Sequence, residues 1–316
     1  MVNTTLVGQS PELEAVLRSS AIVAATDVNV LILGESGTGK ELLAQSLHQN
    51  SKRQKLPFIA INCAALPDEL AESELFGYRK GAFTGADKHH TGIITQAEGG
   101  TLFLDEVGEL SFKLQAKLLR FLESGECQPL GSDHTHNVNV RIIAATNSDL
   151  LNQVEQGQFR QDLYYRLNVV PLQMPALRQR SGDVRVLLQH YIKHFSQLHV
   201  LAAPRIDKEA LQTLQSYSWP GNVRELRNLC ERLVILLQGQ SIQVENLPAE
   251  IRQGNRLEAS IKGFLLPEQG LNLEQLEQDM LSQALNKSGG NRSRAARLLG
   301  LTRDTMLYRM KKYSMR

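Results

Sequence analysis

The chain has 316 residues, 42% hydrophobic and 22% charged, which is enough apolar material for roughly two globular domains and argues against a disordered chain. No apolar run reaches the roughly 18 residues of a membrane span, and the opening MVNTTLVGQSPELEAV has no basic region followed by an apolar one, so neither a spanning helix nor a secretion signal is expected. The net charge of +2 hides an asymmetry: nine Lys/Arg against one acid between Lys287 and Arg316 give +8, leaving −6 on the first 286 residues, so the basic tail and not the body is expected to meet a polyanion.

In chain order, PELEAVLRSSAIVAA (11–25) carries apolar residues at helical spacing, and VNVLIL (28–33) reads as a buried strand. A helix over ELLAQSLHQN (41–50), a strand over FIAIN (58–62), a strand over TLFLDE (101–106), a helix over KLQAKLLRFLESG (113–125) and a strand over VRIIAATN (140–147) follow. Strands alternating with helices predict an α/β fold with a mainly parallel sheet covered on both faces. From about 183 to 237 the pattern is helical only, which predicts a small all-α subdomain; 252–270 is weakly periodic and rich in turn residues, so it reads as a linker, and three helical segments close the chain. Cys63, Cys127 and Cys230 are odd in number and lack CxxC spacing, which predicts three buried reduced thiols and no disulfide framework. YRKGAFTGADKHH (78–90) places Phe83 at the tip of a polar, glycine-bracketed loop with no obvious packing partner.

VLILGESGTGKELLAQSL has the strand, glycine-rich loop and helix start of a phosphate-binding P-loop. Gly34, Gly37 and Gly39 let the backbone amides of Glu35, Ser36, Thr38 and their neighbours turn toward phosphate oxygens, Lys40 reaches the β/γ-phosphates, and the helix opening after Lys40 adds its positive end. Glu41 stands where a Ser/Thr hydroxyl usually meets magnesium, which leaves a plain glycine-rich turn open on this stretch alone. GGTLFLDEVGEL answers that doubt: 65 residues after Lys40, a second buried strand ends in Asp105 and Glu106, at the edge where ligands bind in open α/β sheets. Asp105 is expected to hold Mg2+, directly or through water, and Glu106 to polarise the water that attacks the γ-phosphate of ATP.

GESGTGKE, ESELFGYRKGAFTGA, GGTLFLDEVGEL, RIIAATN, FRQDLYYRLNVV and WPGNVRELRN together resemble the AAA+ domain of bacterial sigma-54-dependent transcriptional activators, from about Leu6 to Glu250. In that family Glu is the usual residue after the P-loop lysine, as at Glu41. The resemblance implies that Asn62 is a switch asparagine restraining Glu106, that Thr146 and Asn147 sense the γ-phosphate, and that Arg224 is a lid sensor. It implies that Arg160 and Arg166 are fingers inserted into a neighbouring subunit's site; read in isolation, both are surface charges. Fingers in trans imply a homo-oligomer, from dimer to hexameric ring. In the family the loop Gly81, Ala82, Phe83, Thr84, Gly85, Ala86 touches the sigma factor, although Phe83 folded back on its own domain stays open.

RSRAARLLGLTRDTMLYRMKKYSMR reads as a short helix, a turn at Gly300 and a second helix capped by Thr302. Ala295, Ala296, Leu299, Leu307 and Met310 are expected to form a small core, leaving Arg303, Thr305, Tyr308, Arg309 and Lys312 for double-stranded DNA. This segment resembles the Fis-type helix-turn-helix that ends the same activators, and the helix before it has Leu273, Leu276, Met280 and Ala284 on one face, fit to pair with a twin. The expected organisation is an AAA+ α/β subdomain over 1–175, an α-helical lid over 176–252, a linker over 253–270 and a DNA-binding domain over 271–316. The implied protein is a cytoplasmic ATPase that binds enhancer DNA and remodels the sigma-54 RNA polymerase holoenzyme. The alternatives are a nucleotide-sensing DNA-binding regulator without turnover, and an unfoldase or helicase with a DNA tether. The AAA+ pattern starts within about eight residues of Met1, which leads us to expect either a trans-acting regulator or a longer parent chain.

Overall fold

The structure is a computed structural model that describes residues 6–65, 67–252 and 272–313. It divides into two compact units, Met1–Asn255 and Arg256–Arg316. The expected linker at 253–270, together with Leu271, lies outside the described residues.

The first unit is built on five parallel strands, β1 (Val30–Leu33), β2 (Phe58–Asn62), β3 (Thr101–Asp105), β4 (Arg141–Thr146) and β5 (Val170–Gln173), in the order β2-β3-β4-β1-β5. Because side chains alternate along a strand, the sheet has two apolar faces. Val30, Ile32, Phe103, Ile143 and Ala145 pack with Leu13, Leu43 and Leu47 from the helices Pro11–Ala24 and Lys40–Gln49. Leu31, Leu102, Leu104, Ile142 and Ala144 pack with Leu114, Leu118 and Phe121 of the helix Phe112–Ser124 and with Leu163 and Leu167 of the helix Gln161–Leu167. The register aligns Asn62 with Asp105 and Leu33 with Thr146, so the glycine-rich loop, both carboxylates and Asn147 all emerge at the C-terminal edge of the sheet.

β5 is absent from the sequence reading, and Pro171 is the reason: a proline inside a strand removes a ladder donor and argues against a central strand. β5 pairs only with β1, at the sheet edge, where that loss is tolerated. Two short antiparallel ribbons were also illegible, Gly77–Tyr78 with His90–Thr91 and Glu126–Cys127 with His136–Asn137. The first forms the stem of the loop that carries Phe83.

The helical part of this unit is formed by Asp183–Leu198, Lys208–Ser216 and Asn222–Leu236 around a fully buried Trp219. Trp219 Nε1 donates to Leu214 O at 2.9 Å, so its polar atom is satisfied inside the core. The stretch is not purely helical, because Arg205–Ile206 pairs in parallel with Ser241–Ile242. All three cysteines are free and buried, and burial pushes the thiols of Cys63 and Cys230 up to about 12.

Among its described residues the second unit has three helices, Leu273–Lys287, Arg292–Leu298 and Arg303–Lys312, capped by Asn272, Asn291 and Thr302. Leu281, Ala284, Ala295, Ala296, Met306 and Met310 form its core. Met306, not the expected Leu307, fills the central position, because Met306 and Met310 are one turn apart on the same helical face. Leu307 is only half-buried. Of the proposed twin-pairing face, Ala284 is spent on this core while Leu273 and Met280 are exposed.

Candidate functional site

At the C-terminal edge of the sheet a cleft of about 490 Å3 is lined by Ser36, Gly37, Gly39, Lys40, Glu41, Asp105, Glu106 and Arg224 among others. Lys40 is buried at the start of its helix; Nζ donates to Gly34 O at 2.8 Å and lies 3.4 Å from Glu106 Oε1. Glu106 follows β3 in the left-handed region, with φ 53, a conformation that bends the chain and aims its carboxylate at Lys40. Its other oxygen, Oε2, accepts from Asn147 N at 3.0 Å. Asp105 sits beside it, and burial, with the Glu106 charge second, raises its carboxyl above the ordinary 3.8. A half-buried pair of hard oxygen donors next to a lysine fits a divalent cation that arrives with phosphate oxygens.

Glu41 points into the first turn of its helix, where Gln45 Nε2 donates to it at 3.3 Å. Thr146 is buried and its hydroxyl accepts from Ser148 N. Asn62 lies next to Asp105 in the sheet register, but its Oδ1 accepts from Ala64 N at 2.9 Å; the carboxylate of Glu106 is held by Lys40 and Asn147 instead. Arg224 Nη1 donates to Ser36 Oγ at 2.8 Å, which brings the lid directly onto the loop. Arg160 and Arg166 are elsewhere. Arg160 pairs with Asp162 through Nε and Nη2 at 3.1 and 2.8 Å and lies over the Phe112 ring, while Arg166 donates twice to Leu122 O. Neither lines the cleft of its own chain.

The loop between Tyr78 and His90 closes on itself: Gly81 N donates to Ala86 O and Ala86 N to Phe83 O. Ala86 is buried, and Phe83 is 42% exposed. Phe83 is not without a partner, since its ring tilts against Tyr78 at 5.0 Å, and Tyr78 in turn stacks on His90 at 5.3 Å. The aromatic therefore rests partly on the stem of its own loop and partly in solvent.

In the second unit, Arg303 and Tyr308 are exposed, Tyr308 at 72%. The other three residues expected to be free for DNA are engaged. Thr305 Oγ1 meets Thr302 Oγ1 at 2.7 Å, Arg309 pairs with Glu277, and Lys312 pairs with Glu274 at 3.3 Å. For Thr305 the cause is the helix cap, and for the two cations it is the acidic face of Leu273–Lys287, which lies against the basic end of the last helix.

Comparison with known proteins decides the family. Residues 6–173 match the sigma-54 interaction domain, 178–262 the AAA+ ATPase lid domain and 272–313 the bacterial regulatory protein, Fis family. The transcriptional regulatory protein ZraR of Salmonella typhimurium is 46% identical over 305 residues, which is 96% of this chain and 68% of that protein. This chain belongs to the sigma-54-dependent transcriptional activators. The regulatory protein AtoC of Escherichia coli is 44% identical over 310 residues, covering 98% of this chain and 67% of its own length. The crystal structure of NtrX from Brucella abortus in complex with ATP superposes with a TM-score of 0.73 at 35% identity, over 97% of this chain and 68% of that one.

As a sigma-54-dependent activator, the protein is an AAA+ P-loop ATPase with a helix-turn-helix DNA-binding unit, and among the described residues no helix is long and apolar enough to cross a membrane. The structure adds residues to the cleft of this activator that the sequence did not reveal. Tyr191, Val223 and Arg227 reach it from the lid, and Leu42 and Gln45 from the helix after the loop. Tyr191 and Arg227 belong to two different lid helices. Val223 and Arg227 flank Arg224 inside WPGNVRELRN, where a spacing of three puts the two arginines near one helical face, a signal from which Arg227 could have been found.

Proposed function

We propose that this activator binds upstream DNA through its helix-turn-helix unit and uses ATP hydrolysis to convert a closed complex of sigma-54 polymerase into an open one. The observation that carries this reading is the convergence of Lys40, Asp105 and Glu106 in one lid-covered cleft, on the same unit that exposes Phe83. Lys40 would draw the β/γ-phosphates. Asp105 would hold Mg2+, which when bound spreads the charge of the phosphate oxygens. Glu106 sits where a carboxylate can orient water at the γ-phosphate, and its present partners, Lys40 and the Asn147 amide, are groups that a triphosphate would also engage. The Asn147 amide would thereby report on occupancy.

Arg160 and Arg166 act on a neighbouring subunit's cleft in this reading, supplying positive charge to the transferring phosphoryl group. Their absence from the lining of their own cleft supports it, and so do their places at the N-cap and in the last turn of one short helix, Arg166 exposed and Arg160 partly so. A ring assembled by such contacts would bring several Phe83 loops to one face for sigma-54. On the DNA side, Arg303 and Tyr308 are the side chains free to reach base edges, while Arg309 and Lys312 would need to exchange Glu277 and Glu274 for phosphates.

Transcription in vitro from a sigma-54 promoter carrying an upstream site for this protein tests the proposal. Transcript should require sigma-54 holoenzyme and hydrolysable ATP together. Equal transcript with a non-hydrolysable analogue would favour the reading in which nucleotide is sensed without turnover.

A further inference from the structure

A loop that aims its N–H groups at phosphate oxygens leaves carbonyls that must find partners elsewhere, because an unpaired buried carbonyl is costly. Here three consecutive carbonyls of the glycine-rich loop are taken by the lid. Asn222 Nδ2 donates to Ser36 O at 3.1 Å, Val223 N to Gly37 O at 3.0 Å and Arg180 Nη2 to Thr38 O at 2.7 Å. The approach is so close that a Cβ on Gly37 would stand 2.5 Å from Gly221 O.

Asn222 is the centre of this junction. It is fully buried and begins its helix in the left-handed region, with φ 50, which Asn tolerates better than most residues. Its Oδ1 accepts from Leu177 N at 2.8 Å, and its Nδ2 also donates to Glu35 Oε2 at 3.0 Å. Both donors of one side-chain amide are thus committed to the loop, while its oxygen accepts from the lid. Arg178, from the same lid turn, pairs with Glu35 as well.

We propose that Asn222 is a positioning residue for nucleotide binding: it holds the shape of the phosphate cradle by tying it to the lid. The proposal rests on the reading of the Lys40 loop as the phosphate site of ATP. Asp at this position would have almost the same shape but would turn a donor into an acceptor facing the Glu35 carboxylate and the Ser36 carbonyl. Gly would remove the amide while accepting φ 50 without strain.

The test is steady-state ATP hydrolysis by the full chain carrying Asn222→Gly, Asn222→Asp or Lys40→Ala, with ADP affinity measured by calorimetry and folding by thermal melts. Asn222→Gly should raise the KM for ATP and the Kd for ADP about tenfold, on the scale of lost hydrogen bonds to buried partners, with kcat held within about twofold. Asn222→Asp should do so more strongly. A merely structural role would lower the folded fraction and hence the apparent kcat at unchanged KM, and that result overturns the proposal. Wild-type KM and Kd in both Asn222 variants, with binding lost in Lys40→Ala, also overturn it while leaving the phosphate site standing. Normal binding by Lys40→Ala would remove the phosphate site, and the role of Asn222 with it. Should Asn222→Asp fail to fold, Asn222→Gly decides alone.

Discussion

Two glycine-rich loops in this protein use the same residue for opposite ends. Around the nucleotide cleft the glycines are hemmed in: a Cβ on Gly34 would meet Met174 at 2.9 Å, one on Gly37 the Gly221 carbonyl at 2.5 Å and one on Gly39 the Leu6 side chain at 3.2 Å. In the Phe83 loop, Gly81 and Gly85 also have positive φ, yet nothing lies within 4 Å of the Cβ either would carry. The first loop is glycine-rich because other chain segments press against it. The second is so only because its backbone turns the wrong way for an L side chain. One is a cradle pressed between neighbouring segments, and the other is a tip that stands clear of them.

The comparison breaks most visibly at the cradle. Lys40→Ala should reduce nucleotide binding below detection in calorimetry, since the cleft then loses its buried cation; retained binding would put the phosphate site elsewhere. Gly37→Ala against Gly81→Ala sharpens the contrast. Both force an L residue into a left-handed backbone, at roughly 1–2 kcal/mol, but Gly37→Ala adds a clash that costs about 1–3 kcal/mol more. In thermal melts Gly37→Ala should therefore lose clearly more stability than Gly81→Ala, and equal losses would mean that the lid does not press on the cradle.

Binding of duplex DNA by the second unit should weaken with salt. If about six phosphates are neutralised, log affinity should fall against log salt with a slope near −5, whereas a slope near zero would rule out backbone contacts. The smallest effect concerns Glu35, whose carboxyl the Arg178 guanidinium and then the Asn222 amide lower from 4.5 to about 2. A lowered folded-state value means that this contribution is present above pH 4.5 and is lost as pH falls toward 2. Because the side chain is substantially exposed, solvent screening holds it to about 1 kcal/mol or less. Denaturant titrations between pH 6 and 2 should show a shallower acid limb in Glu35→Gln than in the wild type.

Much of the architecture was legible because it is local. Alternation of β-branched runs with amphipathic stretches marks β1 to β4 and their helices, and the capping grammar around Thr302 marks the last helix. What stayed hidden depends on partners distant in sequence. Pro171 disguised β5 because only the sheet order shows that it is an edge. Met306 replaced Leu307 because the core of the second unit is completed by Leu281 and Ala284 from a different helix. In the same way Arg309 and Lys312 looked free until Glu277 and Glu274 were placed opposite them. At the cleft, the motif residues Lys40, Asp105 and Glu106 were readable from spacing and chemistry, whereas Tyr191 comes from a lid helix with no signature, and Arg227 and, beside the cleft, Asn222 lay inside WPGNVRELRN with no role that the sequence assigned.

Phe83→Ala tests most directly whether ATP chemistry in the cradle is delivered through the Phe83 loop. The ring contact of Phe83 is with Tyr78 and not with the cleft, so the variant should hydrolyse ATP and oligomerise as the wild type does. The measurement is open-complex formation at a sigma-54 promoter, made alongside the ATPase rate of the same sample. The account predicts an intact ATPase rate with no open complex and no retention of sigma-54; normal open-complex formation by Phe83→Ala would contradict it.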